Sequence, residues 1–346
     1  MPSPVTRLAV ADVDGDGRAE VFATGIRSGD RTDAGVLELY SGDGRQLFSR
    51  YLAAWPLDAV IADLEGDGTP ELIIAAMASD GECSVRALNP RGVERWRTPI
   101  ANCELPRIAV ADVDGDGKPE IGYGDVTIIG MPHVALLRHD GSVRWKEETK
   151  DDTSWVALVP GGLLHAGAHG EDQGHVTLRG AAGGTVRWSA KLPSLPNPEV
   201  PLAPFSGEVS SGALMPDAND DGVPELAVIS FSGAVRLLDG ATGLQQWKTD
   251  TVAADTAPGQ RPSSGGQLAW VPGSTSAPGF LAVGLRHETR ARVDALALSE
   301  AGQRLTSFGM EGESHAVVAA RLGEHRRGAA IAGGLNVHAV VAAPRP

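Results

Sequence analysis

Four stretches of this chain place oxygen-bearing side chains at alternate positions around a glycine. They are Asp12-Val13-Asp14-Gly15-Asp16-Gly17, Asp63-Leu64-Glu65-Gly66-Asp67-Gly68, Asp112-Val113-Asp114-Gly115-Asp116-Gly117 and Asp217-Ala218-Asn219-Asp220-Asp221-Gly222. With the first Asp as position 1, the oxygens fall at 1, 3 and 5, glycine at 6, and a glutamate at 9 (Glu20, Glu71, Glu120 and Glu225). Alternate side chains converge when the chain turns sharply, and glycine permits that turn. The main-chain carbonyl of position 7 (Arg18, Thr69, Lys118 and Val223) can add another oxygen. A flexible ring of hard oxygens suits Ca²⁺ better than Mg²⁺, which demands a strict octahedron and keeps its waters. One such turn would mean little, because Asp-Gly is also a common hairpin turn. Four at one spacing predict about four Ca²⁺ sites. The ion is expected to be mainly structural, since gathered carboxylates repel one another without a cation.

An EF-hand shares positions 1, 3, 5 and 6 but needs a bidentate Glu at position 12 and a helix on each side. Position 12 is Ala23, Ile74, Tyr123 or Val228, and the flanks read as strands, so that motif is excluded. Other candidate chemistry is thin. His165, His169 and His175 lie near Glu171 and Asp172, a grouping able to bind a transition metal or move protons, but its spacing fits no standard zinc arrangement. Trp55, Trp155 and Trp270 fall off the main Trp phase; they are candidates for stacking on sugar rings, with packing between repeats as the alternative. There is no G-x-S-x-G elbow, P-loop or dinucleotide fingerprint, and no catalytic residue is assigned.

The elements that carry these loops repeat. The acidic stretches start at 12, 63, 112 and 217, a period of about 50 residues with one interval doubled. A second mark recurs out of phase. Gly92 precedes Trp96 by four residues, and the same spacing joins Gly141 to Trp145, Gly184 to Trp188, Gly243 to Trp247, and Gly44 to Phe48. Trp188 thus marks a repeat without an acidic loop, starting near Val159-Pro160-Gly161. Similar text at Val271-Pro272-Gly273 and a start near Ala319-Ala320-Arg321 complete seven repeats. Each holds short runs rich in Val, Ile and Leu between Gly and Asp turns. One example is Arg107–Ala111, Pro119–Tyr123, His133–Arg138 and Ser142–Lys146. Four strands per repeat predict an all-β, seven-bladed β-propeller of four-stranded antiparallel blades. One domain, 1–346, is expected, with blades starting near 7, 58, 107, 156, 212, 267 and 316. The aromatic of each outermost strand should pack between neighbouring blades. The last blade has text for three strands, near Ala316–Ala320, Ala329–Gly333 and Asn336–Val341. Either Pro2–Thr6 lies alongside it, or a segment upstream of this sequence completes it.

The chain has 346 residues, with 44 acidic against 30 basic side chains and a net charge of -14. That balance argues against nucleic acid and against anionic membrane surfaces. About a third of the carboxylates lie in the four loops, and four Ca²⁺ would bring the charge to about -6, ordinary for a soluble surface. Two cysteines exclude a disulfide-rich scaffold and a CxxC zinc cluster. Cys83 and Cys103 bracket the last hairpin of the second repeat, and both a disulfide and two buried thiols are open to them. No apolar run approaches a membrane span, and Met1–Val10 lacks a signal-peptide core. The protein is read as extracellular or cell-surface with its leader absent from this sequence; a cytoplasmic location is the other reading.

The four loops resemble the FG-GAP repeats of integrin α-subunit propellers and the related VCBS repeats of bacterial surface proteins. In that family the loop joins the first two strands of a blade and holds Ca²⁺ through positions 1, 3, 5, 7 and 9. The resemblance implies four ligand sets: Asp12, Asp14, Asp16, Arg18 and Glu20; Asp63, Glu65, Asp67, Thr69 and Glu71; Asp112, Asp114, Asp116, Lys118 and Glu120; Asp217, Asn219, Asp221, Val223 and Glu225. Position 7 would contribute its carbonyl. The Phe-Gly and Gly-Ala-Pro elements of the family name are not recognisable, and three repeats lack the acidic loop. Separately, 238–247 resembles a blade of the quinoprotein-type propeller as a packing element, which implies no cofactor. The expected function is a calcium-binding, non-catalytic recognition or adhesion module. It would take a protein or glycan on a propeller face, with no nucleic-acid partner and no membrane insertion. A secreted calcium-dependent polysaccharide lyase is the rival, and a sensor domain of a larger intracellular protein is the third reading. Oligomeric state is not legible.

Overall fold

Runs of aliphatic and β-branched residues, punctuated by Gly and Asp turns, become strands along the whole chain. The computed structural model describes residues 5–27, 34–127, 130–169, 173–193, 208–251, 266–273, 278–286, 292–311, 314–321, 327–333 and 336–341. Among these, consecutive strands pair in sequence order into six four-stranded sheets and one three-stranded sheet. The first strands of the seven sheets are Val5–Ala11, Trp55–Ala62, Arg107–Ala111, Trp155–Val159, Val209–Met215, Gly266–Val271 and Ser314–Arg321. The seventh sheet has the three strands its sequence has room for: Ser314–Arg321, Arg327–Gly333 and Asn336–Val341. Nor do Val5 and Thr6 lie beside it. They open the first strand of the first sheet, where Val5 pairs with Gly25. Residues 1–4 lie outside the described residues.

Contacts divide the chain into two compact units, Met1–His165 with Leu178–Arg187, and Ala166–Thr177 with Trp188–Pro346. In the first unit, sheets pack face to face, and the period of two shares each strand between two cores. Glu71–Met77 is apolar throughout for this reason. Leu72, Ile74 and Ala76 join Phe22, Leu37 and Leu39 of the first sheet, while Ile73 and Ala75 join Ile121, Tyr123 and Ala135 of the third. In the second unit, Ala227, Ile229, Val235 and Leu237 of the fifth sheet pack on Leu281, Val283 and Leu296 of the sixth.

The Gly-to-aromatic spacing is explained by a lock between successive sheets. Gly92, Gly141, Gly184, Gly243 and Gly302 all have positive φ, between 69° and 81°. On each lies the aromatic of the preceding sheet's outermost strand. A Cβ on Gly141 would sit 2.6 Å from Trp96; on Gly184, 2.9 Å from Trp145; on Gly243, 2.5 Å from Trp188; on Gly302, 2.8 Å from Trp247; on Gly92, 3.1 Å from Phe48. Glycine is needed there twice over, for the turn and for the ring. Three indole N–H groups donate onward to main-chain oxygens: Trp145 to Ala181 (3.0 Å), Trp188 to Gly240 (3.1 Å) and Trp247 to Glu300 (2.8 Å). The expected packing of these aromatics between repeats is thus realised. Cys83 and Cys103 form a disulfide with Cα atoms 5.7 Å apart, both buried. The bridge ties the start of strand Glu82–Leu88 to the residue after Glu94–Asn102.

Candidate functional site

Each acidic loop joins the first and second strands of its sheet, so the ladder clamps both ends. Ala11 pairs with Glu20, Ala62 with Glu71, and Ala111 with Glu120. In the fifth sheet Glu225 pairs with Met215 and not with Pro216, which has no N–H to give the ladder, so one more residue lies between the paired strands.

The carboxylates first of all fold the loop. Asp12 accepts from the N–H groups of Gly15 (2.8 Å) and Gly17 (2.9 Å), Asp63 from Gly66 (2.8 Å) and Gly68 (2.7 Å), and Asp112 from Gly115 (2.7 Å) and Gly117 (2.9 Å). Asp217 accepts from Asp221 (3.2 Å) and Gly222 (2.7 Å). The fourth loop position needs a left-handed backbone. Gly15, Gly66 and Gly115 supply it, and in the last loop Asp220 does so at φ 58°. Position 5 accepts the N–H of position 7: Asp16 from Arg18, Asp67 from Thr69, Asp116 from Lys118 and Asp221 from Val223, at 2.7 to 2.8 Å.

Position 9 has a part the spacing did not reveal. Glu20, Glu71, Glu120 and Glu225 are all buried. Each accepts the N–H of position 2: Val13 (2.8 Å), Leu64 (3.0 Å), Val113 (3.1 Å) and Ala218 (3.1 Å). The apolar residue at position 2 of the first three loops was the available signal, since it sinks into the core beside the glutamate. Electrostatics follow the hydrogen bonds. The N–H of Gly117, then that of Gly115, hold the Asp112 carboxyl below its ordinary value against the effect of burial. Burial pushes the Glu120 carboxyl up, opposed by the Val113 N–H.

In the first loop, oxygens of Asp12, Asp14 and Glu20 lie within 4.8 Å of one another, as do those of Asp112, Asp114 and Glu120 in the third. The first of these sets is exposed at the two aspartates and floored by the buried glutamate, a donor set that fits a hard divalent cation. Among the described residues, the position 5 carboxylates are in neither converging set. Among the described residues, no three acidic groups of the second or the last loop converge in this way.

Two arginines enter the loops. Arg95 donates to Glu65 and Glu71, and Arg144 to Asp114 (2.7 Å) and Glu120 (3.4 Å). In the last loop the Asn219 amide donates to Asp221 (3.0 Å) and Asp239 (2.8 Å).

The other candidates are packed. His165 is buried; the Nε–H of Arg179 donates to its Nε2 (3.2 Å), and its Nδ1 meets Thr153 Oγ1 (3.3 Å). His175 is buried and gives its Nδ1 proton to the Ala168 carbonyl (3.2 Å). The His169 side chain, Glu171 and Asp172 lie outside the described residues. Trp55, Trp155 and Trp270 are half-buried, and Trp270 packs against Gly279 and the core between the fifth and sixth sheets.

No protein-family model and no curated relative matches the sequence. Solved structures do match, and they agree on the architecture. BamB from Moraxella catarrhalis is 14% identical with a TM-score of 0.57, covering 98% of this chain and 83% of that one. BBS1N, solved in complex with ARL6DN, is 12% identical with a TM-score of 0.62, covering 100% and 94%. The C-terminal WD40 domain of Sif2 is 15% identical with a TM-score of 0.58, covering 99% and 82%. The chain is a β-propeller of repeated antiparallel sheets.

Proposed function

We propose that this chain is a calcium-stabilised, seven-bladed propeller of the FG-GAP/VCBS kind that acts as a recognition module and does no catalysis. The observation that carries the metal reading is the first loop. There Asp12 and Asp14 face solvent, Glu20 lies buried beneath them, and one oxygen of each falls within 4.8 Å of the others. When bound, Ca²⁺ would be held by these side chains and would neutralise their mutual repulsion. The chain's own residues supply the rest: Asp12 closes the turn through two N–H groups, and Glu20 ties position 2 to the second strand. Ligand recognition is assigned to a propeller face, and a protein partner is favoured. BBS1N in complex with ARL6DN supports that choice as a propeller seated on a protein. The Cys83–Cys103 bridge supports an oxidising compartment, and so an exported protein.

The test is thermal unfolding with and without EDTA, beside elemental analysis of the purified protein. Ligand at 100 times its Kd stabilises by about 2.7 kcal/mol per site, so chelation should lower Tm measurably. An unchanged Tm together with no bound calcium would refute the metal reading. Recognition is tested by a protein and glycan binding screen run with and without Ca²⁺. Release of unsaturated sugars from any polysaccharide would refute the non-catalytic assignment.

A further inference from the structure

The outermost strand of the first, second, third, fifth and sixth blades carries a β-bulge at the same step, beside its aromatic or, in the sixth, beside Thr306. In the second blade Leu88 pairs with Glu94 and Ala87 with Trp96, which leaves Arg95 as the extra residue. In the third, Leu137 pairs with Val143 and Leu136 with Trp145, leaving Arg144. The same step leaves Leu47 in the first blade and Gln246 in the fifth. A bulged residue is unpaired and its side chain is re-aimed. In the second and third blades it is aimed at the acidic loop of its own blade. Arg95 bridges Glu65 and Glu71, and Arg144 bridges Asp114 and Glu120, which are positions 3 and 9 in both cases.

We propose that the bulge residue decides which acidic loop takes a metal ion. Arg95 and Arg144 are tethered cations that occupy the ion's place in the second and third loops, in the third among oxygens that already converge, whereas Leu47 brings no charge to the first loop and leaves it to Ca²⁺. Positions 3 and 9 are two of the three groups whose oxygens converge in the first loop, through Asp14 and Glu20. A guanidinium hydrogen-bonded to both claims the same oxygens that an ion would need. A divalent ion must either displace it, stripping a buried glutamate of its partner, or bind beside a like charge. The fourth blade also carries an arginine one residue before the aromatic of its outermost strand. Arg187, one residue before Trp188, lies over Gly161 in the turn that replaces the acidic loop, with guanidinium nitrogens 3.2 Å from where a Cβ would be.

This proposal rests on the calcium reading, and one experiment separates the two. Bound Ca²⁺ is counted by equilibrium dialysis and atomic absorption for the full chain, Arg144→Gln, Arg95→Gln and Leu47→Arg. Expected are no more than two ions in the native chain, one more after either arginine is removed, and one fewer in Leu47→Arg. Each arginine variant should lose Tm in EGTA and regain it in Ca²⁺, and its new site should bind about 100-fold more tightly than the native loop does. Four ions in the native chain would overturn the tethered cation while leaving the calcium reading intact. No ion in the native chain but one in Arg144→Gln would keep the tether and remove native calcium. An arginine variant that gains no ion overturns the proposal. Should such a variant fail to fold in Ca²⁺ as well, Leu47→Arg decides in its place. Leu47 is an exposed bulge residue whose replacement perturbs no core, and an unchanged ion count there would equally overturn the proposal.

Discussion

Gly141→Ala tests the lock between blades most directly. Gly141 sits at φ +81°, and a Cβ there would stand 2.6 to 2.9 Å from three carbons of the Trp96 ring. Two costs add. An L-residue in the left-handed region loses about 1 kcal/mol, and forcing a methyl into a filled contact costs about 1–3 kcal/mol more. The ring cannot yield freely, because Thr98 on the same strand donates to the Gly141 carbonyl at 2.6 Å and holds the strand against the turn. The total is about 3 kcal/mol. Gly81→Ala is the control: its φ is +87°, with nothing within 4 Å of the added carbon, so only the backbone cost of about 1 kcal/mol applies. Urea unfolding of both variants measures the difference. In a Trp96→Ala background, Gly141→Ala should fall to the control value, a coupling of about 2 kcal/mol. Equal losses in the two single variants, or no coupling to Trp96, would refute the reasoning.

Two further predictions concern buried groups. Reducing the Cys83–Cys103 bridge opens a loop of separation 20, and chain entropy puts the loss at about 3 kcal/mol, read as a lower unfolding midpoint in dithiothreitol; an unchanged midpoint would show the bridge does not form. Burial raises the Asp125 carboxyl above its ordinary value, although the His133 N–H and the Tyr123 hydroxyl both donate to it at 2.9 Å. Between the unfolded and folded values the native state binds the extra proton, so this group costs stability as pH rises from about 4 toward neutrality. Asp125→Asn should therefore gain on the native protein over that range, and parallel pH profiles for the two would rule the effect out.

The acidic loops could be read from the chain because their bonds are local. Asp12 reaches Gly15 and Gly17, Asp16 reaches Arg18, and Glu20 reaches Val13, all inside one turn between paired strands. The strand repeat and the Gly-to-aromatic spacing were legible for a related reason, since every blade solves the same packing problem and so repeats the same residues. The partner of each outer-strand aromatic was not legible: Trp96, Trp145, Trp188 and Trp247 each meet a glycine of the next blade, and only face-to-face packing of two sheets brings them together. The same holds for the bridge between Cys83 and Cys103, which spacing left open beside two free thiols. It holds also for His165, whose buried ring accepts from Arg179, 14 residues away. The arginines show it most clearly. Arg95 lies 24 and 30 residues from its two carboxylates, and a one-residue bulge in the outer strand turns it toward them. Spacing along the chain sets what a loop can bind, but which cation reaches it depends on strand register, and register is settled only when the sheet closes its hydrogen bonds.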